Sequence, residues 1–150
     1  MSTGVLAGKR GLIMGVANDK SIAWGIAQSA AREGAELAFS YQGEVLEKRV
    51  RPLAEQVGAE MLTCDVTDDA SIDALFHALE EKWGKLDFVV HAIGFSNKDE
   101  LKGEYLNTSR ENFALTMDIS VYSFTAVAQR AARMMNEGGS LVTLTYQGAV

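Results

Sequence analysis

Residues 14 to 27 read MGVANDKSIAWGIA. Gly15 breaks an apolar run, a polar stretch follows, and Ser21-Ile22-Ala23 opens a helical pattern. A strand, a turn and a helix start in that order could hold a phosphate. The first turn of a helix presents unpaired N–H groups and the positive end of its dipole. Gly15 would let the backbone turn close to the ligand, Ser21 would offer its hydroxyl, and Ile22 its backbone N–H. Gly25, one turn into the helix, would let helix and strand approach. The G-x-G-x-x-G spacing is not met, because the next glycine after Gly15 is Gly25. On these residues alone, a Ser21 that merely caps a helix and a Gly15 that merely turns the chain explain the stretch equally well.

Other candidates follow the later apolar runs. Gln42 stands where dinucleotide folds discriminate the adenosine ribose: an acid there favours a free 2′-hydroxyl and a nearby Arg a 2′-phosphate. Gln42 is neutral with no basic residue beside it, which leans toward NAD; a solvated loop glutamine is the alternative. Asp65 could accept a hydrogen bond from an adenine amino group while the Val66 N–H bonds a ring nitrogen; otherwise Asp65 caps the next helix. Gly94 could let the backbone pass a cofactor, or simply turn. His91 closes an apolar strand and reads as a packed, hydrogen-bonded histidine rather than a base. His77 falls on an amphipathic helix and reads as surface. Cys64 reads as a small buried hydrophobe. Two distant histidines and one cysteine give no metal site.

Five short apolar runs must position these residues: 11–14, 36–40, 61–64, 86–90 and 141–144. They are nearly continuous rather than alternating, as strands covered on both faces are. Helical patterns lie between them. Residues 21–33 carry Ile22, Ile26 and Ala30 and stop at Gly34. Residues 44–57 carry Leu46, Val50, Leu53 and Val57 and stop at Gly58, with Pro52 predicting a kink near Arg51 or two short helices. Residues 69–83 carry Ile72, Leu75, Phe76 and Leu79 and stop at Gly84. A last, long helix is expected from about Ser109 to Met135, with Thr108 and Glu111 as a capping box and Gly138-Gly139 ending it. Its Phe113, Met117, Tyr122, Phe124, Met134 and Met135 read as core or subunit interface. Alternating strand and helix imply a three-layer, doubly wound α/β fold of the Rossmann type, with a parallel sheet and right-handed crossovers. Ligands then bind beyond the carboxyl ends of the strands. The irregular stretch from Gly94 to Asn107 is long enough to be functional.

The 150 residues fit one domain, expected over 1–150, and 47% of them are hydrophobic, ordinary for a globular chain. A net charge of −6 and a pI near 4.9 disfavour a nucleic-acid partner. No apolar run approaches membrane-helix length, and the first ten residues carry no secretory apolar segment. A single cysteine permits no internal disulfide, so a reducing cytoplasm is the expected home.

The stretches GKRGLIMGVANDKSIAWGIAQ, GAELAFSYQ, CDVTDDASID, HAIGF, DISVYSF and TLTYQGA, in this order, resemble the short-chain dehydrogenase/reductase superfamily. More narrowly, they resemble the NADH-dependent enoyl-acyl-carrier-protein reductases of type II fatty-acid synthesis. The resemblance implies NAD contacts at Gly15, Ser21, Ile22, Gln42, Asp65, Val66 and Ile93. It places Gly94, Phe95 and Ser96 beside the nicotinamide and acyl substrate, and Tyr146 near the thioester as the candidate catalytic residue. It implies hydride transfer from NADH to a trans-2-enoyl thioester carried on acyl carrier protein, in a homo-oligomer, a tetramer by that likeness. The first loop departs from the superfamily's T-G-x-x-x-G-x-G. His91-Ala92-Ile93-Gly94 stands for its N-N-A-G, and Ser120 falls where it has a helix Asn. These departures favour the enoyl reductase branch over ketoacyl reductases. That family's principal catalytic Tyr and its Lys lie beyond the fifth strand, whereas here no tyrosine follows Tyr146 and no lysine follows Lys102. The chain therefore reads as an N-terminal part, with the sheet incomplete on its C-terminal side and inactive alone. The alternatives are another short-chain reductase and a non-catalytic NAD-binding fragment.

Overall fold

The computed structural model describes residues 3–149; the expected domain bounds at 1 and 150 lie outside them. Five parallel strands form one sheet: β1 (Arg10–Met14), β2 (Glu36–Tyr41), β3 (Glu60–Thr63), β4 (Leu86–His91) and β5 (Met135–Thr143), in the spatial order β3-β2-β1-β4-β5. The helices are α1 (Ile22–Arg32), α2 (Glu44–Val57), α3 (Asp69–Trp83), α4 (Arg110–Met117) and α5 (Ser123–Met134).

The nearly continuous apolar runs are explained by two cores. Successive strand residues point to opposite faces. Leu12, Met14 and Val89 pack with Ile72, Leu75, Leu79 and Val127, from α3 and α5. Ile13, Phe39 and Val90 pack on the other face with Ala27, Val50 and Leu53, from α1 and α2. Each Leu- or Phe-sized side chain so buried contributes about 1.5–3 kcal/mol. The reversal of strand order falls between β1 and β4, which pair in register from Gly11↔Phe88 to Met14↔His91. The chain leaves β1 toward α1 and leaves β4 toward α4, so a crevice opens between them.

Several local expectations are corrected. Pro52 neither splits nor ends α2, which runs unbroken through it. Pro52 lies on the exposed face, where water can serve the carbonyl that its missing N–H leaves without a partner. Ile22 does not join the core, and Ile26 packs against it only partly buried. The buried stripe of α1 is Ala23, Trp24, Ala27 and Ala30, and Ile22 and Ile26 border an open groove beside Phe88, Val90 and Val142. The long helix is interrupted by a π-helical turn at Asp118–Tyr122. Its N-cap is Ser109, not Thr108: the Ser109 hydroxyl accepts from the Asn112 N–H at 3.1 Å, and the carboxylate that answers it is Glu100, which receives the Ser109 N–H at 2.6 Å. Gly138 and Gly139 lie inside β5. There the pairing shifts from Leu86↔Met135 to Phe88↔Ser140, so extra residues bulge out of the ladder.

Candidate functional site

A cleft of about 270 Å³ opens at the carboxyl ends of the strands, across the β1/β4 crevice. Gly15, Val16 and Ala17 enter it after β1, Tyr41 and Gln42 at the end of β2, Cys64 to Thr67 after β3, and Ala92 to Phe95 after β4. Of the residues expected to bind cofactor or substrate, the fold brings together Gly15, Gln42, Asp65, Val66, Ile93, Gly94 and Phe95. Ser21, Ile22, Ser96 and Tyr146 are not among the lining residues. Ile22 is 67% exposed at the start of α1, and Tyr146 is 91% exposed.

The loop after β1 is built differently from its reading in the sequence. Gly15 has φ +110°, and a Cβ there would sit 2.0 Å from the Ala92 carbonyl oxygen. Its lack of a side chain therefore lets the chain leaving β4 approach. Gly25 meets nothing within 4 Å and faces the open groove, so it does not bring helix and strand together. The Ser21 hydroxyl does not cap α1. It turns back to accept the N–H groups of Ala17 and Asn18, both at 3.0 Å, while the Asn18 side chain accepts from the Lys20 N–H at 2.8 Å. Ser21 thereby fixes the path of residues 17–20 ahead of the helix start.

The third-strand end is similarly organised. One Asp65 oxygen accepts the Thr67 N–H at 2.9 Å and the Thr67 hydroxyl at 2.7 Å, an Asx turn. The helix cap, the alternative role for Asp65, is made by Asp68, which accepts from the Ala70 N–H. Cys64 is buried, and that burial pushes its thiol up to about 11. It stays protonated and unreactive at neutral pH.

On the β4 side the polar contacts lie behind the lining. The Ser120 hydroxyl accepts from the Phe95 N–H at 3.0 Å and lies 3.2 Å from the Phe95 carbonyl, to which it donates. Ser96 receives the Asn112 amide and the Thr116 hydroxyl, both at 3.1 Å, which ties it to α4. His91 is packed, as its sequence setting implies: it is 1% exposed, with its ring edge toward Phe124 at a centroid distance of 5.4 Å. Its Nδ1 lies 3.0 Å from the Thr143 hydroxyl and its Nε2 2.7 Å from that of Ser123. Ser123 in turn donates to the Ile119 carbonyl at 2.6 Å. A hydroxyl has one proton, so Ser123 accepts from Nε2–H, and Nδ1 accepts from Thr143. This loop of contacts was not legible in the sequence, which placed His91, Ser123 and Thr143 in three separate elements.

Burial lowers the His91 pKa from its ordinary 6.5. As pH falls, the unfolded chain takes up this proton before the folded one. The stability the neutral imidazole contributes is therefore complete above 6.5 and is lost progressively below it. The wild type should thus lose more melting temperature than His91→Phe between about pH 7.5 and about pH 5.5. Equal losses in the two melting curves would contradict this.

The strand order and the cleft at its reversal define a doubly wound parallel α/β protein of the Rossmann type. Within that class, the chain belongs to the enoyl-(acyl carrier protein) reductase family, whose model matches residues 15–150. It is 68% identical over 149 residues to enoyl-[acyl-carrier-protein] reductase [NADH] 1 of Rhizobium meliloti strain 1021, covering 99% of this chain and 55% of that protein. Among solved structures, it matches the FabI of Candidatus Liberibacter asiaticus with a TM-score of 0.95 at 56% identity, covering 98% of this chain and 57% of that one. It matches the enoyl-acyl-carrier-protein reductase of Anaplasma phagocytophilum, solved in complex with NAD, with a TM-score of 0.93 at 54% identity, covering 99% and 58%. The chain thus spans a little over half the length of the relatives it matches.

Proposed function

We propose that this chain forms the dinucleotide-binding part of an NADH-dependent enoyl-acyl-carrier-protein reductase acting in a homo-oligomer in the cytoplasm. One observation carries the reading: the cleft at the strand reversal carries polar side chains on one side and only apolar ones on the other. At the β2 and β3 ends Tyr41, Gln42, Asp65 and Thr67 stand among Leu46, Cys64 and Val66, whereas the β4 side is apolar, with Ala92, Ile93, Gly94, Phe95 and Ile119. That division suits an adenosine half recognised by hydrogen bonds and a flat nicotinamide held by packing. Asp65 would accept from the adenine amino group beside the Val66 N–H, and Gln42 would meet an unphosphorylated ribose. The first-turn N–H groups of α1 would face the diphosphate along the path Ser21 fixes. Gly94 accommodates the nicotinamide side: a Cβ there would touch only Ser120 Oγ, at 3.9 Å. When bound, the reduced nicotinamide supplies the hydride for the enoyl β-carbon. The enoyl thioester on acyl carrier protein is the proposed substrate, with Phe95 and Ser96 at its entrance. Tyr146 is proposed to border the thioester, although it stands outside the cleft described here.

The test uses the full-length polypeptide containing these residues, assayed for NADH oxidation with crotonyl thioester. Asp65→Asn keeps an acceptor for Thr67 and swaps the other oxygen for a donor, which opposes an adenine amino group. It should weaken NADH about ten-fold by calorimetry with the fold intact. Wild-type protein that turns over only ketoacyl substrates would instead favour the neighbouring branch of the superfamily. Undiminished NADH affinity in Asp65→Asn would remove Asp65 from the adenine site.

A further inference from the structure

The polar side chains most deeply buried against the cleft are not those expected to touch a ligand. His91 is 1% exposed and Ser123 is fully buried. A buried polar network costs free energy unless each member is satisfied, and an apolar trio would pack here without that demand. The network also sits on a backbone irregularity. At the π-helical turn the Ser123 N–H reaches back five residues to the Asp118 carbonyl, and the Ile119 carbonyl receives the Ser123 hydroxyl. Ser120, the next residue of that turn, grips both the N–H and the carbonyl of Phe95. Ile119 itself lines the cleft. Thr143 closes the group from β5, paired in register with His91 across the ladder.

We propose that the buried pair His91 and Ser123, joined from the exposed side by Thr143, forms a clamp that fixes the wide turn of α4–α5 against the ends of β4 and β5. Through Ser120 the clamp sets the position of the Phe95 backbone at the apolar end of the cleft. His91 is then a positioning residue for the nicotinamide side, which rests on the dinucleotide reading of that cleft. The route is short: imidazole to Ser123 hydroxyl, hydroxyl to Ile119 carbonyl, and from the adjoining Ser120 to Phe95. A wide turn has two neighbouring registers, five-residue and four-residue, and can relax from one to the other when its side-chain anchor is removed.

Two variants of the full-length polypeptide test this. His91→Phe keeps a ring against Phe124 and removes both ring nitrogens, and Ser123→Ala removes the shared hydroxyl. Hydrogen–deuterium exchange without cofactor should rise about ten-fold in residues 93–97 and 118–122 in either variant. Exchange in α1 and α3 should stay as in wild type, which a general loss of stability would not allow. Calorimetry should show NADH weakened about five- to ten-fold in each. The double variant should be no weaker than the poorer single, since both act on one route. Unchanged exchange at 93–97 in folded Ser123→Ala, or fully additive losses in the double variant, would overturn the clamp. If His91→Phe does not fold, Ser123→Ala decides alone. If wild-type protein binds no NADH, the cofactor reading falls, and the exchange measurement still decides the clamp.

Discussion

Gly15→Ala is expected to lose at least about 4 kcal/mol of stability or to prevent folding. Two costs combine at this position. A φ of +110° is one that L side chains rarely adopt, and the new Cβ would lie 2.0 Å from the Ala92 carbonyl oxygen. Neither can be relieved cheaply, because the Ala92 N–H is itself bonded to the Met14 carbonyl at 2.9 Å, locking the two strand ends together. For a chain of this size the loss corresponds to roughly 10 °C in melting temperature or more. Gly25→Ala is the control. It lies within α1 with nothing within 4 Å of a new Cβ, so it should be neutral or stabilise by about 0.5–1 kcal/mol. Melting curves of the two variants side by side decide the matter. A Gly15→Ala protein that melts with wild type would mean that β1 and β4 do not approach as described.

That contrast marks where the sequence could be read and where it could not. The strand runs, their order of appearance and the helix stops at Gly34, Gly58 and Gly84 follow from local patterns, and the fold carries them with small shifts in bounds, except that β5 begins at Met135, well before the run at 141–144. So do the places where chemistry collects, since strand ends at a reversal are a property of topology. What local pattern cannot supply is the neighbour across the fold. Gly15 and Gly25 look like two parts of one fingerprint, yet one is pressed against β4 and the other faces open space. Ser21 has the residue type and place of a cap, but its hydroxyl finds two loop N–H groups closer to hand. The spacing of Ile22, Ile26 and Ala30 marks one helix face, yet tertiary packing leaves Ile22 out and buries Ala23, Trp24 and Ala27 beside Ala30. The π-helical turn has no sequence signal at all. Ser123, the residue after it, bonds His91, 32 residues away.

The isolated 150-residue chain should oxidise NADH with crotonyl thioester at least about 100-fold more slowly than the full-length polypeptide. Reduction of an enoyl thioester builds negative charge on the thioester oxygen, and rate comes from a donor already aimed at that atom. At the apolar end of the cleft the described lining is Ala92, Ile93, Gly94, Phe95 and Ile119, none of which carries a side-chain donor. Behind that lining, Ser120 gives its proton to the Phe95 carbonyl, and Ser96, which does not line the cleft, is held on α4 by the Asn112 amide and the Thr116 hydroxyl. Tyr146, the one tyrosine in the stretch after β5, is 91% exposed and outside the lining. Binding and turnover should therefore separate: the residues proposed for adenine and ribose are in place, whereas a donor for the developing oxyanion is not. A spectrophotometric assay at matched concentrations of chain and full-length polypeptide checks this. Comparable rates would show that an acid within these residues serves the thioester, and Tyr146→Phe would then be the variant to make.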